Sequence, residues 1–234
     1  MSNESVAINI QNLKHSYQGR GLVLNIPEFQ LNGAETVFLY GPSGSGKTTL
    51  LSLLTGILGI QTGQIELFGQ PLEQLGARAR DVLRASHIGY IFQVFNLLPF
   101  LSVQENILLP LRMSAQRRKR LGGSAVPADE AARLASALSI GHLLHAKAGE
   151  LSIGQQQRVA AARALIGAPK LIIADEPTSA LDSEMRESFL NVLFEQARHQ
   201  RSAVLFVSHD RSLGPLFDRT VALSEINSVP LEGV

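Results

Sequence analysis

The first third of the chain alternates apolar and polar positions, then gives way to short, wholly apolar runs. Val6–Ile10 and Leu22–Leu31 both alternate, which predicts half-buried strands of an antiparallel layer. Pro27 lies inside the second run and, lacking an N–H, predicts an edge strand or a bulge. Glu35–Tyr40 has the character of a buried strand ending in a glycine-rich turn, and Lys47–Thr55 that of a helix packed on the same sheet. Further strands are predicted at Gln64–Phe68, Ile88–Phe92, Leu171–Ala174, Ala203–Val207 and Arg219–Leu223. Strand-length runs alternating with helical patterns argue for an α/β fold.

From about Ser102 to Gly167 the period becomes helical and no run has strand character. Ser102 and Glu105 form an S-x-x-E capping box that opens a helix, and Pro110 predicts its end or a kink. Arg117–Arg120, RRKR, leads into GGSAVP, a flexible surface turn, and Asp129–Leu138 resumes helical spacing. The expectation is one domain over residues 1–234. Residues 1–92 and 168–234 form its α/β core and antiparallel β layer, and residues 93–167 an inserted helical subdomain.

Composition narrows the function classes. Of 234 residues, 45% are hydrophobic, enough for a substantial core. Lys+Arg is 21 and Asp+Glu is 20, so the basic stripe of a nucleic-acid binder is not expected. No cysteine is present, which excludes disulfides and thiolate metal sites. The N-terminal MSNESVAINI lacks a basic start and a long apolar run, so no signal peptide is expected. No stretch approaches the ~18 consecutive apolar residues of a membrane span; transport, if driven by this chain, needs a pore on another.

The candidate chemistry centres on phosphate. Gly41–Thr48 spells GPSGSGKT, a full G-x-x-x-x-G-K-[ST] between a predicted strand and a predicted helix. Glycines 41, 44 and 46 let backbone N–H groups turn toward an anion, and the following helix points its positive end the same way. Lys47 supplies charge for β- and γ-phosphates, and the Thr48 hydroxyl is placed for Mg²⁺. Far along the chain, LIIADE at Leu171–Glu176 is a buried strand ending in two carboxylates. Paired with the phosphate loop, Asp175 is placed to hold Mg²⁺ through its water shell and Glu176 to polarise an attacking water. His209 follows another apolar strand in VLFVSHD, at the strand ends where α/β ligands sit.

One further segment gives these motifs a family. Leu151–Arg158, LSIGQQQR, resembles the signature motif, usually LSGGQ, of ABC ATPases. Tyr17, Gln93, Ser179–Asp182 (SALD) and His209 match in order that family's adenine-stacking aromatic, Q-loop, D-loop and switch histidine. The resemblance runs from about Tyr17 to His209 and implies a RecA-like P-loop NTPase core. It implies nucleotide contact by Gly41, Pro42, Ser43, Gly44, Ser45, Gly46, Lys47, Thr48, Thr49 and Tyr17. Ser152, Gly154 and Gln155 would complete the site of a second copy, in a head-to-tail homodimer that closes on ATP. Thr48, Gln93 and Asp175 are the implied Mg²⁺ ligands, and Glu176, His209, Lys47 and Gln93 the implied catalytic set. For Tyr17 a cross-strand aromatic contact stays open beside adenine stacking.

Ser152 and Gln155 form S-x-x-Q, so Ser152 is expected to cap a helix running from Gly154. Ile153 departs from the family pattern, which has glycine there. A position needing φ > 0 would make a β-branched residue costly, so altered turnover or an inert regulatory cassette is the alternative this residue raises. His15, His87, His142, His145 and His199 have no metal-like spacing. The RRKR run is expected at a solvated helix end, with headgroup contact as the other option.

Residues 89–110, GYIFQVFNLLPFLSVQENILLP, resemble the branch serving lipoprotein release, macrolide export and the related cell-division complex. That resemblance implies export or mechanotransmission through a permease with a large extracytoplasmic domain, at the cytoplasmic face of the inner membrane. An importer ATPase is the alternative; a soluble cassette acting on ribosomes or DNA is a third. The chain ends soon after His209, so the regulatory domain of many sugar importers is not expected. Phe92, Phe95, Leu97, Leu98 and Phe100 are either core or, in part, a groove for a permease helix.

Overall fold

In the computed structural model, which describes residues 6–19, 21–122, 126–178 and 183–230, the chain begins with β1 (Val6–Ser16), β2 (Leu22–Asn32), β3 (Thr36–Tyr40) and α1 (Lys47–Leu54). There follow β4 (Thr62–Leu67), β5 (Gln70–Pro71), α2 (Ala77–His87) and β6 (Ile88–Ile91). The helices α3 (Val103–Met113), α4 (Ala115–Arg120), α5 (Pro127–Ala137) and α6 (Ile153–Leu165) come next. The chain closes through β7 (Leu171–Asp175), α7 (Ser183–Gln200), β8 (Ala203–Ser208), β9 (Arg219–Ala222) and α8 (Leu223–Ile226). Two compact units result: residues 1–84 with 203–234, and residues 85–202.

In the first unit the alternating segments form an antiparallel sheet of order β2-β1-β4-β5. Ile10 pairs with Phe29 on one side and Ile65 on the other, and Ile8, Leu13, Leu24, Ile26, Leu31 and Leu67 are buried with them. β1 extends to Ser16, past its expected end, because alternation resumes at Leu13 and His15 after a break at Asn12. Pro27 lies on edge strand β2, as its missing N–H requires. The β1–β4 register shifts between Gln11 and Lys14. Asn12 (φ 50°) and Gly63 (φ 90°) absorb that shift, and a Cβ on Gly63 would run into the Asn12 backbone. The wholly apolar strand β3 is parallel to β8 and β9, with Phe38 opposite Phe206 and Thr220.

In the second unit β6 and β7 pair in parallel from Ile88–Leu171 to Ile91–Ala174. The helical stretch is as expected in kind: among the described residues, only the isolated bridge Ser102–Lys147 interrupts it. Ser102 Oγ accepts from Glu105 N at 3.1 Å and Glu105 Oε2 from Ser102 N at 2.9 Å, which closes the expected capping box. Pro110 does not end α3. The helix continues to Met113, and Ser114 N donates back to Pro110 O at 3.0 Å; only the bond to Asn106 O is lost. The alanine-rich face of α6, with Ala160, Ala161 and Ala162 fully buried, lets α3 and α5 approach closely.

The solvated RRKR helix end is corrected in one position. Arg117, at 2% exposure, is among the largest buried side chains, whereas Arg118 and Lys119 stay in water. The turn that follows lies partly outside the described residues. Three helices are not predicted by the pattern: α2, α7 and the four-residue α8, whose first residue, Leu223, falls at the end of an expected strand. α2 buries only Leu83 and Ser86, too thin a stripe to show a period. α7 buries Phe189, Leu190, Leu193, Phe194 and Ala197 at helical spacing.

Asn106, fully buried on α3, anchors the loop before that helix. Its Oδ1 accepts from Leu98 N at 2.9 Å and its Nδ2 donates to Leu98 O and Ser102 O, each at 3.0 Å. Asn106→Leu removes both bonds to the Leu98 backbone and the bond to Ser102 O from a fully buried position, and is expected to cost about 1–3 kcal/mol, read as a fall in denaturation midpoint.

Candidate functional site

Between β3 and α1 the chain turns through Gly41–Gly46. Gly44 (φ 79°) and Gly46 (φ 101°) occupy the left-handed region, where a side chain would be strained. Gly46 is the N-cap of α1 and no side chain caps that end, so the first-turn N–H groups are left for an external acceptor. Lys47 Nζ folds back over the loop and donates to Gly41 O at 2.6 Å and Pro42 O at 2.9 Å. A Cβ on Gly41 would come within 2.8 Å of Ser45 Oγ, and that hydroxyl is buried with no hydrogen-bond partner. Thr48 is exposed. A cradle of open N–H groups, one orphaned hydroxyl and a lysine cation resting on the loop carbonyls fits a phosphate chain.

Tyr17 lies just beyond β1. Its hydroxyl is 3.2 Å from Thr49 Oγ1 on α1, its ring meets His15 edge-on at 5.1 Å, and it is 39% exposed. Its aromatic neighbour is therefore on its own strand rather than across the sheet. The hydroxyl ties the ring to the phosphate-loop helix, with surface left over for stacking. β8 runs parallel to β3 with Ser208 opposite Tyr40. Exposed His209 thus leaves the sheet at the edge from which the phosphate loop springs. Asp210 caps the next turn, accepting from Ser212 N at 3.1 Å, and Arg211 sits 4.6 Å above the Tyr40 ring.

The second unit holds the other candidates. β7 delivers Asp175 half-buried and Glu176 buried, the latter with φ 47°, a strained backbone for a residue other than glycine. Tyr90, on β6, donates its phenolic hydrogen to Asp175. Burial first, then the Asp175 charge and that bond, push the phenol well above its ordinary range, so it remains a donor throughout neutral pH. Gln93 is exposed two residues past β6. Of the neighbouring apolar set only Phe95 is core; Phe92, Leu98 and Phe100 are exposed, at 36%, 37% and 70%. Arg163 on α6 holds this loop, donating to Asn96 O at 2.7 Å and Phe95 O at 2.5 Å.

The signature segment folds as its S-x-x-Q spacing predicts. Ser152 caps α6, with Gln155 N donating to Ser152 Oγ at 3.4 Å and Ser152 N to Gln155 Oε1 at 2.9 Å. Ile153 occupies the first helical position with an ordinary right-handed φ and is 57% exposed. The backbone there does not demand glycine. The SALD segment, Ser179–Asp182, lies outside the described residues.

No group of three His, Asp or Glu able to hold a metal unaided occurs among the described residues. The exposed Thr48 hydroxyl of the first unit and the tethered Asp175 carboxylate of the second are each hard oxygen donors of the kind Mg²⁺ takes, one or two from protein and the rest from water and phosphate. Sequence reasoning missed Tyr90, Asn106 and Arg163. Only the register placing Tyr90 opposite Ile173, two residues before Asp175, reveals the first of these.

The chain is similar to known proteins over most of its length. The ABC transporter family model matches residues 24–179. The lipoprotein-releasing system ATP-binding protein LolD of Hydrogenovibrio crunogenus is 38% identical over 93% of this chain and 94% of its own. The uncharacterized ABC transporter ATP-binding protein YbbA of Escherichia coli K12 is 37% identical over 92% and 93%. Among solved structures, the dimeric ABC transporter cassette MJ0796 superposes with a TM-score of 0.80 at 30% identity, covering 92% of this chain and 93% of that one. Its post-hydrolysis dimer bound to ADP and Pi gives 0.81 at 28% identity, covering 97% of each.

Two outcomes follow from the local geometry. Tyr90→Phe removes the phenolic donor from the Asp175 carboxylate and is expected to raise the Mg²⁺ concentration for half-maximal hydrolysis by about tenfold, measured by Mg²⁺ titration of the rate. Ile153→Gly relieves no backbone strain and is expected to leave turnover within about twofold while loosening the start of α6 by up to about 1 kcal/mol.

Proposed function

This chain belongs to the ABC transporter family as one of its ATP-hydrolysing subunits, and we propose that two copies close on ATP to drive export or mechanotransmission by a membrane permease. The observation that carries the proposal is the start of α6. Its cap closes locally through Ser152 and Gln155, while the surrounding first turn stays exposed or half-exposed around Ile153 and Gly154. A helix N-terminus presented at the surface attracts an anion. The γ-phosphate held on the phosphate loop of a second copy is the anion that fits, and the dimeric cassettes among the similar structures support this pairing.

In this mechanism Lys47 and the open N–H groups before α1 hold the β- and γ-phosphates. Mg²⁺, when bound, neutralises developing charge on the phosphates, with Thr48, Asp175 and Gln93 as its protein ligands. Glu176 orients and deprotonates the attacking water, His209 steadies the γ-phosphate, and Tyr17 supports adenine. Ser152, Gly154 and Gln155 act on the nucleotide of the partner copy. Hydrolysis then removes the anion that joins the two subunits.

Likeness to lipoprotein-releasing ATPases over nearly the whole chain supports a permease with an extracytoplasmic domain, and residence at the cytoplasmic face of the inner membrane through that partner. No helix among the described residues is long and apolar enough to cross a membrane. Exposed Phe92, Leu98 and Phe100 supply an apolar surface for a permease segment.

Glu176→Gln is expected to bind ATP with wild-type affinity, to accumulate as an ATP-bound dimer in gel filtration, and to hydrolyse about 10²–10⁴-fold more slowly. A wild-type protein as inactive as this variant establishes the inert cassette instead. Failure to copurify with any membrane protein from detergent overturns the transport assignment.

A further inference from the structure

Arg117 and Arg120, both on α4, make no ion pair among the described residues; each spends its guanidinium on carbonyl oxygens. Arg117 Nη1 donates to Ile166 O at 3.0 Å and Ala164 O at 3.4 Å, and its Nη2 donates to Ile88 O. Arg120 Nη1 donates to Ala168 O at 2.6 Å and Gly167 O at 3.1 Å, and its Nη2 to Ser86 O. These acceptors belong to two places only: the carboxyl end of α6 with the turn after it, and the entry into β6. A helix carboxyl end leaves its last carbonyls unpaired and carries partial negative charge. Two cations satisfy both demands here.

Two glycines show that the junction is built for close approach. A Cβ on Gly89 of β6 would run into Ala164 O of α6. Gly167 has φ +72°, and a Cβ there would lie 2.8 Å from Arg117 Cβ. Burial, with a smaller contribution from the Arg120 charge, lowers the Arg117 pKa to about 10; it remains a cation at neutral pH. Burying a charged guanidinium among carbonyls is costly, and core packing alone is achieved more readily by an apolar side chain.

We propose that Arg117 is a positioning residue that locks the carboxyl end of the signature helix to the entry of β6, so that displacement of Ser152 is delivered to the strand that carries Tyr90 and leads to Gln93. The path is short and stiff. From Ser152 to Ala164, α6 spans about 18 Å of continuous helix. Arg117 then bridges Ala164 to Ile88, two residues before Tyr90, whose hydroxyl holds Asp175. Contact of the signature segment with a partner's nucleotide therefore bears on this subunit's own Asp175 and Gln93. The inference rests on the ATP-driven dimer proposed above.

The test compares Arg117→Lys and Arg117→Met with Arg118→Met, an exposed neighbour outside the junction. Nucleotide binding is read with a fluorescent ATP analogue, steady-state hydrolysis as kcat and KM, and dimerisation in each Glu176→Gln background by gel filtration with ATP. The phosphate loop lies in the other compact unit, so the variants are expected to bind the analogue within about twofold of wild type. Loss of registration should lower kcat by about tenfold with little change in KM, and weaken the ATP-bound dimer by a similar factor. Lysine should not restore kcat, because its three donors sit on one compact ammonium and lack the spread fork by which Nη1 and Nη2 reach α6 and β6 at once. Where Arg117→Met does not fold, Arg117→Lys carries the comparison. A lysine variant with lowered melting temperature but unchanged kcat and dimer affinity reduces Arg117 to a packing element and overturns the proposal. Failure of the Glu176→Gln parent itself to dimerise with ATP overturns the dimer instead.

Discussion

Every helix end leaves backbone groups that the helix itself does not satisfy, and the way each end is satisfied organises this molecule. At α3 and α6 reciprocal capping boxes close the N-terminus with residues three apart. At α1 no side chain caps the N-terminus, and Gly46 instead turns the chain with a left-handed φ. That difference separates scaffold from binding site. A capped end fixes where its helix begins; an end without a side-chain cap, preceded by three glycines and followed by a lysine, keeps donors for a ligand. Lys47 rests meanwhile on the Gly41 and Pro42 carbonyls, bonds that an incoming phosphate can exchange without exposing a bare charge.

The carboxyl ends obey the same rule with opposite sign. α6 ends at a turn of Gly167 and Ala168, both with positive φ, whose carbonyls are taken by the Arg120 guanidinium of α4, while Arg117 takes those of Ala164 and Ile166. The dipole of α6 is thus compensated at its buried end, while its N-terminal end lies at the surface. Such an arrangement holds the helix by its tail and leaves its head to respond to charge.

Strands and motifs were the legible part of the sequence, because both are local. Period-two alternation located β1 and β2, apolar runs located β3, β7 and β8, and two S-x-x-[EQ] spacings located the starts of α3 and α6. What stayed hidden depends on partners distant in sequence. α2 has almost no buried stripe to reveal it. Tyr90 matters only through the β6–β7 register that sets it beside Asp175. A run of four cations is ordinarily solvated, and only the fold shows that two of the four, Arg117 and Arg120, point at carbonyls.

Ile153 illustrates how a departure from a motif is weighed once the backbone is known. The objection to a β-branched residue rests on φ, and the φ here is that of an ordinary first helical turn. What attracts phosphate at such a turn is the direction of the N–H groups, and these are fixed by the Ser152–Gln155 cap rather than by the intervening side chain. A glycine at this position would add backbone freedom without adding a donor. The consequence of isoleucine is therefore confined to what its exposed side chain meets.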